Sequence, residues 1–199
     1  MDVRAPLVSL SPSLDMRLLT AFAGADASFT SGDLSRITGA SRSGVALALE
    51  RLALSGVLDV ETHGRTNAYR LNRDHLLAES VLLAAGAGDR LRKRARELIL
   101  RWQIAPIEVT LFGSAARGDG DSHSDIDVFV LRPDTIDADD PTWSSQLTDL
   151  QDALQRWTGN ACEILTLSQG EWVDARASNA AITAEVDRDG IPLFPEPAL

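Results

Sequence analysis

Residues 111–130 read LFGSAARGDGDSHSDIDVFV, and this stretch decides the fold of the C-terminal half. The segment leading into it, Ile107 to Phe112 (Ile-Glu-Val-Thr-Leu-Phe), reads as a strand that stops at Gly113-Ser114. Ala115 to Ser124 follows as a short polar helix or loop. Asp125-Ile126-Asp127-Val128-Phe129-Val130 then reads as a second strand. Side chains alternate faces along a strand, so Asp125 and Asp127 project together. Ile126, Val128 and Val130 project the other way, into a core.

Paired carboxylates repel unless a cation lies between them, and hard oxygen ligands suit magnesium or manganese. Gly113 has no Cβ, so a phosphate can approach its backbone closely. Ser114 adds a hydroxyl, and amides at a helix start form an anion site. Arg117 can add a charge-assisted contact to a phosphate. A phosphate cradle beside metal-binding carboxylates is equipment for phosphoryl or nucleotidyl transfer. The plainer alternative makes Asp125 and Asp127 solvent-facing acids on an edge strand, with Arg117 paired to Asp119 or Asp121.

Further along, a helix is expected over residues 141–157, opened by Asp140 or Pro141. Thr158-Gly159-Asn160 is a turn, and Ala161 to Leu167 is the next strand, with Glu163 its only acid. Cys162 lies among apolar neighbours and reads as core. Trp143, Trp157 and Trp172 read as packing residues rather than stacking platforms. His123 is a loop histidine with no assigned role. The acidic runs at Asp119 to Asp121 and Asp137 to Asp140 are expected to be solvated loops. Asp187-Arg188-Asp189-Gly190 looks like a helix end and turn, and Ile191 to Phe194 like a short closing strand.

Towards the N-terminus the pattern changes. Ser11-Pro12 suggests a helix start, and Leu14, Leu18, Ala21 and Phe22 share one face. Thr30-Ser31-Gly32-Asp33 has the form of a capping box before a short helix that ends near Gly39. Ser41 can cap a further helix with Val45, Ala48, Leu49 and Leu52 on one face, ended by Gly56. Val57 to Glu61 and Asn67 to Leu71 read as strands around His63-Gly64-Arg65. Residues 75–103 read as one long helix or two, broken near Gly86-Ala87-Gly88. Arg90, Lys93, Arg94, Arg96 and Arg101 make this stretch basic. Its cations are read as pairing with the acidic C-terminal part rather than with nucleic acid.

Composition bounds these readings. The chain has 199 residues and a formal net charge of −10, with 44% apolar residues, an ordinary globular share. Residues 1–75 carry eight basic and eight acidic side chains, and residues 76–105 six and three. Residues 106–199 carry five and eighteen, a net of −13, which should repel nucleic acid unless cations intervene. The one cysteine, Cys162, excludes a disulfide scaffold and a cysteine-based zinc site. No run of 18 apolar residues occurs, so no membrane partner is expected. The first residues lack the form of a secretory signal, and the expected location is cytoplasmic.

Two family resemblances follow from these residues. Leu111-Phe112-Gly113-Ser114, ten intervening residues, then Asp125-Ile126-Asp127-Val128 resembles the signature of the polymerase-β-type nucleotidyltransferases. The fuller string resembles their minimal branch, with Gly113, Ser114, Arg117, Gly118, Ser124, Asp125 and Asp127 in place and Val128 where leucine is usual. The resemblance implies a mixed sheet flanked by helices and nucleoside triphosphate, foremost ATP, as substrate. It also implies a third carboxylate on a later strand. Glu163 fills that place, where many relatives carry aspartate. Asp125, Asp127 and Glu163 are thereby the implied catalytic and metal residues, for Mg²⁺ or Mn²⁺. Gly113, Ser114 and Arg117 are the implied nucleotide contacts.

The N-terminal order resembles the winged helix-turn-helix of MarR- and ArsR-type regulators. That resemblance implies Arg42 and Ser43 at the start of a reading helix, Arg36 on backbone phosphate and Arg65 at the wing tip. The expectation is therefore an α+β chain in three parts: a winged helix-turn-helix over 1–74, a basic helical linker over 75–105 and a nucleotidyltransferase fold over 106–199. By resemblance such a chain serves as an antitoxin or regulator. It transfers a nucleotide to protein or RNA, with a HEPN-type toxin and operator DNA as partners and a homodimer as a familiar form. The rival expectations are a nucleotide-sensing regulator without transfer and an aminoglycoside-type nucleotidyltransferase.

Overall fold

The structure, a computed structural model, describes residues 1–3, 5–117 and 124–195. The chain forms two compact units, residues 4–87 and residues 88–199, the latter including residues 1–3. The expected linker at 75–105 is shared between them. Helix α5 (Ala78–Ala85) puts Val81 and Leu82 against the N-terminal core, whereas α6 (Ala87–Ile99) puts Leu91, Ala95 and Ile99 into the C-terminal one. The helix break near Gly86 was legible, but which core each half joins depends on faces that the charge pattern obscured.

The N-terminal unit opens with α1 (Pro6–Leu10), α2 (Leu14–Ala23), strand β1 (Phe29–Thr30), α3 (Ser31–Thr38) and α4 (Arg42–Leu54). Ser13, not Ser11, caps α2 by accepting a bond from the Met16 amide. Thr30 and Asp33 form the full capping box of α3. Gly39 ends α3 in the left-handed conformation, at φ 66°, and Ser41 caps α4. Strands β2 (Leu58–His63) and β3 (Thr66–Leu71) form a hairpin to which β1 adds, in the order β1-β3-β2. The core holds Leu18, Phe22, Leu34, Val45, Ala48 and Leu49, each at most 1% exposed, so the helical faces read from spacing are the buried ones.

The C-terminal unit is built on a mixed four-stranded sheet in the order β6-β5-β4-β7. Its strands are β4 (Glu108–Phe112), β5 (Ile126–Arg132), β6 (Cys162–Ser168) and β7 (Ile191–Phe194). The β4 strand runs antiparallel to β5 and β7, and β6 runs parallel to β5. A parallel neighbour needs a crossover, and α8 (Pro141–Thr158) supplies it. Asp140 caps α8, its carboxylate accepting from the Thr142 and Trp143 amides at 2.8 and 2.9 Å.

Alternation along β5 divides two cores. Ile126, Val128 and Val130 join Leu91, Ile99, Trp143, Leu150 and Leu154 on one face. Phe129 and Leu131 join Phe112, Trp172 and Val186 on the other, beneath α9 (Gln169–Ala177) and α10 (Ala181–Asp189). Burying aromatic and aliphatic side chains on both faces, at roughly 1.5–3 kcal/mol each, makes this sheet a rigid frame. Gln146 pins the approach to β4: its Oε1 accepts from the Gln103 and Ile104 amides at 2.7 and 3.1 Å, and its Nε2 donates to the Ile104 carbonyl at 3.1 Å.

The basic helix α6 engages its own unit. Arg94 lies 5.8 Å from the Trp157 ring centroid, Arg96 Nε donates to the Leu193 carbonyl at 3.1 Å, and Arg92 pairs with Asp89. Among the described residues no helix is long and apolar enough to cross a membrane.

Candidate active site

The second face of the sheet turns polar where β4 ends and β5 begins. Phe112 is the register partner of Asp127, and the next residue, Gly113, turns the chain into the short helix α7 (Gly113–Arg117). Gly113 has φ 69°, a left-handed conformation that favours glycine. A Cβ at this position would overlap Asp127 Oδ2. In the sequence this glycine suggests room for a phosphate. In the structure that room is taken first by the Asp127 carboxylate, so Gly113 sets where the carboxylate lies.

Asp127 is also the register partner of Glu163 across the parallel β5–β6 pair. Register partners on adjacent strands share a face, so these two acids stand side by side. Asp125 precedes β5 by one residue and is exposed, while Asp127 is half-buried. The start of β5 is anchored by two bonds: Asn160 Nδ2 donates to the Ser124 carbonyl at 2.8 Å, and the Ile126 amide donates to the Ala161 carbonyl at 2.8 Å. Asn160 is 4% exposed, so a buried amide holds the residue before Asp125.

Electrostatics sets Asp127 apart. Burial raises its pKa above the ordinary carboxylate value, and the negative charges of Glu163, Asp125 and Glu185 raise it further, while Arg117 opposes them. Such a carboxylate ionises against its surroundings and gains from a bound cation. The same field reaches Cys162 at the start of β6. Burial, then Asp127, Asp125 and Glu163, push its thiol up to about 12. The cysteine is a neutral core group, as its apolar setting suggested.

Two contributors were not read from the sequence. Glu185 and Asp189 lie one turn apart on α10, which packs against α7 and β4. Glu185 adds to the field on Asp127, and Asp189 Oδ2 accepts from Arg117 Nη1 at 3.2 Å. The alternative partners considered for Arg117, Asp119 and Asp121, lie outside the described residues, as do Gly118 and His123. The close approach of α10 needs Gly190, whose Cβ would overlap the Val186 carbonyl and stand 2.8 Å from Thr110 Cγ2. The i, i+4 spacing of Glu185 and Asp189 was visible, but it gives a shared helical face and not the element that face meets.

The donor set fits a hard divalent cation: carboxylate oxygens only, on a face where like charges are crowded. Asp125, Asp127 and Glu163 are the residues that could hold it, with Glu185 behind them. Among the described residues, no three His, Cys, Asp or Glu side chains already converge at ligand spacing. Ser114 follows Gly113 in α7, half-buried beside this face.

The residues expected to meet DNA lie on separate elements of the N-terminal unit. Arg36 is on α3, 80% exposed and paired with Asp33. Arg42 and Ser43 open α4, where Ser43 Oγ lies 3.3 Å from Ser41 Oγ. Arg65 occupies the exposed turn between β2 and β3.

Comparison with known proteins bears on the C-terminal unit. Residues 89–160 match the family model of the nucleotidyltransferase domain. The matched span begins in α6 and contains Gly113, Ser114, Arg117, Asp125 and Asp127. It ends before Glu163, Glu185 and Asp189. No curated protein sequence matches the chain. Similar solved structures include a candidate nucleotidyltransferase from Sulfolobus solfataricus, 20% identical, covering 53% of this chain and 81% of its own, with a TM-score of 0.29. Another is TrmBL2, an archaeal chromatin protein with a novel mode of DNA binding, 13% identical, covering 89% of this chain and 76% of its own, with a TM-score of 0.32. The chain carries a nucleotidyltransferase domain.

Proposed function

We propose that the C-terminal unit transfers a nucleotide, foremost AMP from ATP, to a hydroxyl of a protein or RNA acceptor, with Asp125, Asp127 and Glu163 holding divalent metal. The observation that carries this reading is the register pairing of Asp127 with Glu163 beside Gly113. Magnesium or manganese, when bound there, supplies charge neutralisation for the triphosphate and a lowered pKa for the acceptor hydroxyl. Gly113 fixes the Asp127 carboxylate. Ser114 and Arg117 bind the phosphates, Ser114 by hydrogen bonding and Arg117 by charge. Glu163, exposed at the sheet edge, takes the proton of the hydroxyl as that oxygen attacks the α-phosphorus and pyrophosphate leaves.

The N-terminal unit is assigned a winged helix-turn-helix role, with Arg42 and Ser43 entering the major groove of operator DNA, Arg36 on phosphate and Arg65 at the wing. Its support is the order of α2, α3, α4 and the β2–β3 hairpin, with both helix starts capped as such a module requires. A transferase of this kind fused to a DNA reader suits an antitoxin that controls its own expression. Its partner would be a HEPN-type toxin, and its active form a homodimer.

The test is a transfer assay. Purified chain, magnesium or manganese and α-phosphate-labelled ATP are incubated with host-cell extract, alongside Asp127→Ala. Label on a discrete protein or RNA, absent with the variant, is the expected result. Retained labelling with the variant would overturn the assignment of the carboxylates. Nucleotide binding without any labelled product would establish a sensing regulator in place of an enzyme. Transfer to an aminoglycoside in place of a macromolecule would establish a small-molecule enzyme.

A further inference from the structure

Strand β6 is an edge of the C-terminal sheet, with β5 on one side only. Its ladder to β5 uses alternate residues. The Ile126 amide donates to the Ala161 carbonyl, so Glu163, Leu165 and Leu167 turn their backbone groups towards β5. Cys162, Ile164, Thr166 and Ser168 turn theirs outwards. Two of these outward groups are held within the chain. Gln151 Nε2 donates to the Cys162 carbonyl at 2.8 Å, and the Ser168 amide donates to Glu171 Oε2 at 2.6 Å. Between them, among the described residues, no hydrogen bond reaches the outward amide or carbonyl of Ile164 or Thr166. The opposite edge is guarded: β7 carries Pro192, and Arg96 Nε donates to the Leu193 carbonyl at 3.1 Å. By contrast β6 has no proline, glycine or lysine from Cys162 to Ser168, and Leu165 at its middle is 37% exposed. An unguarded edge of this kind is a template for another strand.

We propose that β6 pairs antiparallel with β6 of a second copy of this chain, about a two-fold axis at Leu165. The homodimer proposed above then has an interface, and the inference rests on that reading. The strand is complementary to itself in this register. Ile164 stands opposite Thr166 of the second copy, and each such pair exchanges amide-to-carbonyl bonds in both directions. An axis at Ile164 or Thr166 would instead run the ladder into the Cys162 carbonyl or the Ser168 amide, both already held. Leu165 meets its own copy in the closely spaced, non-hydrogen-bonded position, about 4.5 Å between Cα atoms, so each covers the other's exposed surface. Glu163, the one charged residue on the strand, falls opposite Leu167 and not opposite itself, so no like charges meet. At about 3.3 Å per residue, the two Glu163 positions stand about 13 Å apart along the strands, on one face of a continuous sheet. A two-fold axis closes the pair, whereas head-to-tail addition would leave an edge open for further copies.

The test is the mass of the full chain in solution, by sedimentation equilibrium over a range of concentrations, for wild type, Leu165→Lys, Leu165→Glu and an equimolar mixture of the two variants. Wild type should be a dimer. Each variant should dimerise at least about ten-fold more weakly, because an apolar pair is lost and like charges face each other across the axis. The mixture should recover dimer, since lysine then faces glutamate. Thermal melts check that each variant folds. A second pair of variants reads the register without altering charge. Under copper-catalysed air oxidation Leu165→Cys should cross-link to a dimer on a non-reducing gel, because its Cα spacing falls within disulfide range. Leu167→Cys, whose opposite residue is Glu163, should not. A dimer that Leu165→Lys leaves intact, with no cross-link through Leu165→Cys, would overturn this interface while the homodimer reading stands. Equal cross-linking through both cysteines would overturn the register. Wild type that is monomeric at every concentration would overturn the homodimer reading, and this inference with it.

Discussion

Strands β5 and β6 run side by side, and their two ends treat charge in opposite ways. At the end where both begin, Asp127 stands beside Glu163, and Asp125 and Glu185 add to the crowding. At the other end Arg132 is the register partner of Ser168 and is 8% exposed. It donates to the Ile136 carbonyl and faces Glu171 at 3.6 Å. Asp134, just beyond β5, accepts from the Gly170 amide at 2.9 Å at the start of α9. Backbone and Ser168 hydrogen bonds hold its carboxyl below the ordinary value, whereas Asp127 is raised. The far end meets its charges with opposite charges and donors. The near end sets like charge against like, which costs stability and is the pattern of a ligand site.

The largest effect that could break this contrast comes from Asp127→Asn. Transfer should fall by at least about a thousand-fold, the scale of several kcal/mol of lost metal assistance. Stability should move the other way. A carboxyl whose pKa is raised by folding binds more protons in the folded state, so ionising it costs stability as pH rises past the ordinary 3.8 through the raised value. Without divalent cations near neutral pH, the asparagine variant should therefore melt above wild type. Magnesium should raise the wild-type midpoint and leave the variant unmoved. Thermal melts with and without magnesium check this, and a variant that melts below the metal-free wild type would contradict the crowding argument.

Gly113→Ala comes next. The left-handed backbone costs a non-glycine residue about 1–2 kcal/mol. The new Cβ also overlaps Asp127 Oδ2. Gly159 provides the control, because it has φ 75° with nothing within 4 Å of its would-be Cβ. Gly159→Ala should lose the strain energy alone and keep its transfer rate. Gly113→Ala should lose a similar energy and about a hundred-fold in rate, since a small misplacement of a reacting group has that scale. Equal rates in the two variants would mean that Gly113 does not set the carboxylate.

Reading the chain in sequence order gave the near end because its signals are local. The Asp-x-Asp alternation, the glycine stop after β4 and the apolar face of Ile126, Val128 and Val130 lie within one short stretch, and strand geometry alone puts them together. Glu163 followed from the family resemblance, which implies a third carboxylate on a later strand, where Glu163 is the only acid. The caps at Thr30, Asp33, Ser41 and Asp140 were legible for the same reason, since a cap acts over three residues. Ser11-Pro12 reads as a helix start, but the chain takes up the helix two residues later, at the Ser13 cap. What stayed hidden arrives by chain return. Asp189 meets Arg117 across 72 residues, and α10 reaches the site only because Gly190 allows close packing on Thr110. The far end was invisible for that reason as well. Nothing local in the sequence marks Arg132, and its burial depends on the return of β6 and α9.

At the far end the effects should fall on stability alone. Arg132→Met removes a buried guanidinium, leaving the Ile136 carbonyl without that donor and Glu171 without its partner. Glu171 is 58% exposed and can be hydrated, so the loss should stay near 1–3 kcal/mol. Denaturant melts should register that loss, while the transfer rate stays within about two-fold of wild type. A rate loss comparable with Gly113→Ala would mean that the two ends are coupled through the strands and that the division drawn between them is false.

Asp134→Ala is the smallest change and the sharpest test of sign. A carboxyl held below its ordinary value stabilises the folded state above that value and loses its contribution as pH falls through the lowered one. The variant should therefore be slightly less stable than wild type near neutral pH, and the difference should close as the pH falls past the ordinary 3.8 and through the lowered value. For Asp127→Asn the slope is reversed: its advantage over metal-free wild type grows with pH and closes on acidification. Paired melts of the two variants across the acid range give two curves that approach wild type from opposite sides. If both approached from the same side, the two ends of β5 and β6 would share one electrostatic character, and the case for a cation at Asp127 would rest on register alone.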